Sequence, residues 1–524
     1  MKKFLASVVL CIFWTTGLAR AADPDTDTKA AIAALQAQLD AVKAQLDALQ
    51  ARQRARDAAA AAEGPAPAPS PGSYVGLGTN KAGNVILSFG KEKIQLYGNL
   101  DVSFDETSKG LAKYYAFSGD SPLGNIGYMS AISTNLSYFG LRGDHAIGPS
   151  SGIVYQLEGG FQISSTPGTV ETNNNSSDQV NGALFSRNSY VGVRTPSGTF
   201  KIGKTDAPYK NSTARFNPFS GEIGDYSVIM GNTGGDNRVE FGGRLDHALW
   251  YESPDMHGLN FAALVAPGQN RSGDDSNLAA GESDCTGGNV PGSGALPPFC
   301  NDGSFGTAYS TSLTDQLGKA YLAAAYELHM NVNRVSDLPD LDPNDVGNES
   351  AVKGGLQWAF SPYSSIGGIY EYMHRTIPQY LEYQNERTRS GFWFDYQQAL
   401  DRKNSLAFGW GRANPTPGDP GQHNTPTGLN PDNMANLYTT MFRHAIDKNV
   451  SWYTDWAMTL NHAAAHYDLG AGGRALTTDC HDASILAAYD PTANGGAGGL
   501  TGDGPHCYAG GHLEGFSTGI DVKF

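Results

Sequence analysis

The stretch Phe185–Lys210, FSRNSYVGVRTPSGTFKIGKTDAPYK, and its sequel Gly242–Pro254, GGRLDHALWYESP, decide the fold. They predict two strands joined by the tight turn Thr195-Pro196-Ser197-Gly198, a long connection over residues 211–241, and a third strand. In the first strand Asn188, Tyr190 and Gly192 alternate with Arg187, Ser189 and Val191, so period two sets Arg187 and Tyr190 on opposite faces. In the third, Arg244, Asp246 and Ala248 share one face and Leu245, His247 and Leu249 the other. A connection this long inside a compact domain is usually functional or disordered. Here it is flanked by strands that each offer an arginine to the same side. That combination predicts a loop folded into a lumen, opposite a basic wall. Arg194 and Lys201, beside the turn, are expected as solvated charges.

Outward from this stretch the same device recurs. In Lys93–Glu106, KIQLYGNLDVSFDE, the residues Ile94, Leu96, Leu100, Val102 and Phe104 take one face and Gln95, Tyr97, Asn99, Asp101 and Ser103 the other. A packed core does not tolerate such a polar face, whereas a barrel with lipid outside and water inside requires it. Pieces of this kind are predicted at 93–106, 128–143, 150–164, 183–195, 198–205, 239–252, 257–267, 305–314, 318–331, 350–361, 364–376, 388–400, 403–413, 433–446, 449–467 and 512–524. Their connections alternate between short turns such as Gly148-Pro-Ser-Ser and Asp401-Arg-Lys-Asn and long polar loops at 268–304, 332–349, 414–432 and 468–511. The expected fold is an all-β transmembrane barrel of 16 antiparallel strands over residues 91–524, with an inward constriction loop at about 206–238. A soluble sandwich does not produce so many strands with one polar face throughout.

The N-terminus is organised differently. Residues 1–21 carry Lys2 and Lys3, an apolar run from Phe4 to Trp14 and the small-x-small site Ala19-Arg20-Ala21, which marks a secretory signal peptide. Without that leader the 36 basic residues fall to 33 against 52 acidic ones, a net charge of −19, and nucleic acid is excluded as a partner. No later segment reaches the ~18 apolar residues of a spanning helix, so a membrane location requires a barrel. Ile32, Leu35, Leu39, Val42, Leu46 and Leu49 are spaced three and four apart, a heptad seam that predicts a periplasmic coiled-coil helix over 22–63. A single amphipathic helix lying on the barrel is the alternative. A Pro/Gly-rich linker is expected over 64–90.

From about Lys91 to Phe524 the chain resembles the general porins of Gram-negative outer membranes. The likeness rests on Lys93-Ile-Gln-Leu-Tyr-Gly-Asn-Leu, on Tyr138-Phe-Gly-Leu-Arg-Gly143, on Arg187-Asn-Ser-Tyr-Val-Gly-Val with Gly-Thr-Phe-Lys-Ile-Gly-Lys204, and on Arg244-Leu-Asp-His with Tyr251-Glu-Ser-Pro. The end of the chain, with Phe516, Ile520, Val522 and Phe524 alternating, is similar to the C-terminal strand read by the outer-membrane assembly machinery. The resemblance implies a homotrimer of water-filled barrels in outer-membrane lipid, passing small hydrophilic solutes and ions. It places Arg142, Arg187, Arg244 and Lys204 on a basic lumen wall and Glu222 and Asp225 on the acidic loop opposite. Tyr138 stands where many relatives carry a basic residue, and the heptad stalk is absent from the best-known porins.

Signals of catalysis fail: there is no Gly-x-Ser-x-Gly, no phosphate loop and no Cys-x-x-Cys. His462 and His466, four apart on a strand, stand ~13 Å from each other, beyond a common ligand shell. An enzyme is therefore not expected, nor a cofactor. Cys480-His481 and His506-Cys507 offer a zinc set, but in an oxidising compartment the pairs Cys285–Cys300 and Cys480–Cys507 are expected as disulfides. A loop of about fifteen residues closed in this way gains up to ~3 kcal/mol. With Arg187 and Arg244 balancing Glu222 and Asp225, Tyr138 tilts the expected preference weakly towards cations. A scaffold whose stalk reaches the cell wall or a periplasmic partner, with the barrel largely closed, is the competing function, and conductance separates the two.

Overall fold

The computed structural model describes residues 75–79, 85–89, 92–111, 127–161, 163, 187–231, 241–267, 305–332, 347–377, 379, 388–417, 432–462, 465, 467, 469–470, 489–490, 499–500 and 511–524. The expected leader, coiled coil and all four cysteines of the proposed disulfides lie outside these residues, as does His466.

Sixteen strands close on themselves. They are β1 Glu92–Leu111, β2 in two pieces (Gly127–Thr134 and Tyr138–Ala146), β3 Gly152–Gly160, β4 Ser189–Thr195, β5 Gly198–Asp206, β6 Arg244–Glu252, β7 Asn260–Pro267 and β8 Thr307–Leu317. The circuit continues through β9 Ala320–Met330, β10 Glu349–Ser361, β11 Ser364–Arg375, β12 Arg389–Ala399, β13 Asn404–Ala413, β14 Ala435–Ala445, β15 Val450–Asn461 and β16 Gly511–Lys523. Each strand pairs antiparallel with its sequence neighbour. Closure is made by β16, which runs beside both β15 and β1, with Val522 opposite Leu100 and Val450. The last residue takes part: Phe524 and Gly98 exchange backbone hydrogen bonds of 3.1 and 2.9 Å. A closed ladder satisfies every strand edge, which is what allows strands to cross lipid.

The alternation sorts as its polarity dictates. Phe104, Phe200, Ile202, Leu356, Tyr370, Phe394, Phe516 and Ile520 stand exposed on the outer surface, while Asp101, Ser103, Lys353, Glu371, Asp395 and Ser517 are enclosed on the inner one. In lipid that outer band is the solvated face. Within the stretch expected as linker, Val75–Thr79 and Val85–Phe89 form two short antiparallel strands. The second lies along Glu92–Gln95, on the part of β1 below the reach of β16. The run Val85-Ile-Leu-Ser-Phe89 is too short and too apolar to show a period of two.

Candidate functional site

Between β5 and β6 the chain leaves the wall. Two residues of β6, Asp246 and His247, oppose the single Lys204 of β5, since Gly203 pairs with Ala248 and Thr205 with Leu245. His247 takes a positive φ of 52° in this bulge. The extra residue brings Leu245 and Ala248 into one enclosed cluster, which overturns the simple two-face reading of this strand. Lys204 continues the outer series of Phe200 and Ile202 and pairs with Asp246 at 2.9 Å, so it is no part of the lumen wall.

Asp206 marks the point of departure. Its carboxylate meets Arg244 Nη2 at 3.1 Å, Lys210 Nζ at 3.2 Å and Asn188 Nδ2 at 3.0 Å, while Arg244 Nε donates to Asn188 Oδ1. Arg244 is thereby enclosed, binding the exit of the loop to its entrance. Arg187 precedes β4 and escapes its alternation: Nε donates to Glu158 Oε1 at 2.7 Å and the guanidinium lies over the Tyr138 ring. Tyr190 packs edge-on against Trp250, under Lys201. Lys201, expected in solvent, is instead nearly enclosed on that aromatic pair, with Nζ 2.7 Å from Glu252. Arg194 and Asp144 form the half-exposed pair expected beside a turn.

The loop then crosses to the far wall. Helix α1, Pro208–Ser212, begins with a proline whose missing N–H costs nothing there. Tyr209 N donates to Ser310 Oγ and its hydroxyl to Glu371 Oε1 at 2.6 Å; Glu371 Oε2 accepts from Gly231 N at 2.7 Å. Both feet of the loop therefore stand on one carboxylate. Burial, then the Glu371 charge, holds the Tyr209 hydroxyl well above the usual phenol range, so it stays a donor. Lys353 Nζ sits 4.0 Å above the Tyr209 ring, and Glu327 accepts from Gly242 N on the return path. Between the feet, Phe216, Phe219, Ile223, Val228 and Ile229 are fully buried against Ile369, Trp393, Leu437 and Met441. Each such side chain contributes up to ~1.5–3 kcal/mol. Trp393 Nε1 donates to the Phe216 carbonyl and Arg389 Nη2 to that of Ile229. Gly470 N, from the connection between β15 and β16, donates to the Ile223 carbonyl.

The loop carboxylates do not face the arginines across water. Glu222 is fully buried, accepting from Asn135 Nδ2 and lying 3.9 Å from Arg443 Nη2. Asp225 accepts from Asn217 Nδ2, Gly221 N and Ser227 N at 2.8–2.9 Å and so holds the loop's own turns. Opposed charges across one gap give way to local neutralisation on each side. Arg142 alone of the expected wall residues keeps an exposed side chain, with Nε 2.9 Å from Gln95 Oε1. Phe516, Ile520 and Phe524 face outward from the closing strand. Among the described residues no cluster of His, Cys, Asp or Glu has metal-binding geometry.

Glu371, Glu327, Lys353 and Trp393 were invisible as site residues in the sequence. Their inward register was legible, since Glu371 stands between the outward Tyr370 and Tyr372, but their hydrogen-bond and ring partners on the loop lie 85 to 177 residues away in the chain.

A family model described as Gram-negative porin matches residues 55–464. An anion-selective porin from Comamonas acidovorans is similar in structure at 15% identity and a TM-score of 0.52, covering 83% of this chain and 100% of its own. OmpF of Salmonella typhi, in a complex with daunomycin, gives 15% identity, a TM-score of 0.50 and coverage of 83% and 98%. At such identities the likeness speaks for the fold alone. No curated protein sequence matches the chain. With a closed sixteen-stranded barrel, a polar lumen and an inward loop, the chain belongs to the Gram-negative porin family of outer-membrane channels.

Proposed function

We propose that the barrel is a water-filled pore for passive diffusion of small hydrophilic solutes and ions, narrowed by the segment between Asp206 and Arg244. The observation that carries this is the fastening of both feet of that segment to Glu371. A loop merely collapsed into the barrel has no need of such an anchor. Purified full-length protein in a planar bilayer should insert in discrete steps of open conductance; a protein that seals into the membrane yet stays silent would overturn the reading.

The pore assembles as a trimer, and residues 22–63 form a periplasmic stalk that reaches the cell wall or a periplasmic protein. The support is the family for the trimer, and for the stalk the heptad seam, which precedes a first strand beginning on the short-turn side. Replacing Leu39 and Leu46 by Asp should unfold the stalk and leave a barrel trimer in detergent, read by cross-linking and native mass. A monomeric variant would assign assembly to the stalk. Cys285–Cys300 and Cys480–Cys507 are proposed as loop disulfides, and the C-terminal pattern from Phe516 to Phe524 as the segment engaged by the assembly machinery. Non-reducing peptide mapping should find those two pairs, and four free thiols with bound zinc would refute them.

A further inference from the structure

We infer that Arg142 and Arg215 form two stations that draw small oxyanions, carboxylate or phosphate, through the short-turn half of the lumen. The inference rests on the channel reading above. Its basis is a device that occurs twice. Arg142 Nε donates to Gln95 Oε1 at 2.9 Å, and its guanidinium lies 5.1 Å from the Tyr97 ring centre. Arg215 Nη1 donates to Gln316 Oε1 at 2.8 Å, and its guanidinium lies 4.2 Å from the Tyr321 ring centre. In each case a carboxamide and a phenol hold the side chain in place without cancelling its charge. Among the described residues neither arginine has an acidic partner.

Among the described residues, the carboxylates around these two arginines are otherwise occupied. Glu158 is taken by Arg187, Asp206 by Arg244 and Lys210, and Asp521 by Arg443 and Lys523. Glu92, three residues before Gln95 on β1, pairs with His145 and accepts from the Tyr155 hydroxyl. Asp395, near Arg215, is buried and turned to Gln397 Nε2. Arg142 and Arg215 both remain exposed. Among the described residues, the positive charge of these two arginines is thus not matched by an equally exposed carboxylate beside them, although the whole chain carries −16. With Glu222 and Asp225 enclosed, the basis for a cation preference is gone.

Position supports a shared track. Gln95 and Arg142 are register partners three residues from the start of β1, and Gln316 stands one residue before the end of β8, by a short turn. Arg215 belongs to the inward loop, so one station is on the wall and the other on the loop. A guanidinium presents a planar fork to carboxylate or phosphate, which an ammonium does not. Charge near a narrow lumen governs which ion enters.

Three proteins decide the matter in planar bilayers under a dilute potassium chloride gradient: the natural chain, R142Q/R215Q and R142K/R215K. The natural chain should pass chloride better than potassium. In the Gln variant that permeability ratio should fall by about fivefold, as expected for charges worth on the order of 1 kcal/mol in water-filled surroundings. The Lys variant should retain it. Succinate and inorganic phosphate are then added separately to the bath. Either should reduce chloride current in the natural chain at lower concentration than in the Lys variant, and the more potent of the two identifies carboxylate or phosphate as the better ligand. A preference for potassium in the natural chain, or an unchanged ratio in a conducting Gln variant, would overturn the stations while leaving the channel standing. Oxyanions without effect on the natural chain would remove the ligand assignment. A silent membrane from all three would overturn the channel and the stations together.

Discussion

Replacing Glu371 by alanine is expected to free the inward loop, giving a larger and noisier unitary conductance in a barrel that still folds. The carboxylate is fully buried and accepts two short hydrogen bonds, from the Tyr209 hydroxyl at 2.6 Å and from Gly231 N at 2.7 Å. Removing it leaves both donors without their acceptor, and it also removes a buried negative charge near the enclosed Lys353. Glu327 also lies near Lys353, so the main cost is that of the two buried donors, about 1–3 kcal/mol each. Because ~1.4 kcal/mol is tenfold in an equilibrium, loss of even the lower figure for both donors shifts the attached and detached loop by more than about tenfold. The apolar patch around Phe216 and Ile229 opposes full release, so the loop should fluctuate rather than leave the lumen. Glu371→Gln retains an acceptor but not the charge, and should fall between. Glu327→Ala removes the acceptor of Gly242 N and should have a smaller effect on conductance. Heat-induced mobility shifts on gels test the barrel, and single-channel records test the loop. A Glu371→Ala channel with natural conductance and noise would mean that the apolar patch alone positions the loop.

How much of this was legible follows from where each partner sits. Strands such as Lys93–Glu106 declare themselves because lipid and water impose opposite demands on successive residues, and that demand is local. Lys201 obeyed it, sharing a face with Thr199 opposite Phe200 and Ile202; only its closeness to the turn made solvent the natural expectation. The bulge at Asp246–His247 carries no glycine or proline to announce it, and it reverses the facing of Leu245. Glu222 and Asp225 lie on a loop, where no alternation applies. Whether such a carboxylate meets solute or wall depends on Asn135 and Arg443, which only the closed circuit of strands brings near. Arg215 was missed for the same reason: its significance lies in having Gln316 and Tyr321 as partners instead of an acid.

Leucine at Gly367 should cost far more than leucine at Gly368, although the two are neighbours on β11. The wall here is one residue thick, and the glycines face opposite ways. A Cβ on Gly367 would stand inside hard contact with Asp395 Oδ1 and 2.9 Å from Phe216 Cδ1. Phe216 is fully buried, and its carbonyl is fixed by Trp393, so the ring cannot step aside without undoing that bond. Overpacking of this kind costs about 1–3 kcal/mol, and eviction of a buried phenylalanine about 3–5 kcal/mol. On the other face a Cβ at Gly368 meets the edge of the Phe394 ring at 3.2–3.3 Å and the Trp393 carbonyl at an ordinary 3.8 Å, and that ring is itself exposed on the outer surface. Gly368 lines an apolar outer groove with Leu356, Tyr370 and Phe394, where a leucine finds room and a solvent of its own polarity. Gly368→Leu should therefore match the natural protein in the temperature of its gel shift and in conductance. Gly367→Leu should unfold at lower temperature and, where it folds, show the open-channel noise of a loop without its Phe216 seat. Equal effects at both positions would mean that the inner dent does not hold the loop, and that backbone rigidity of the strand governs the response.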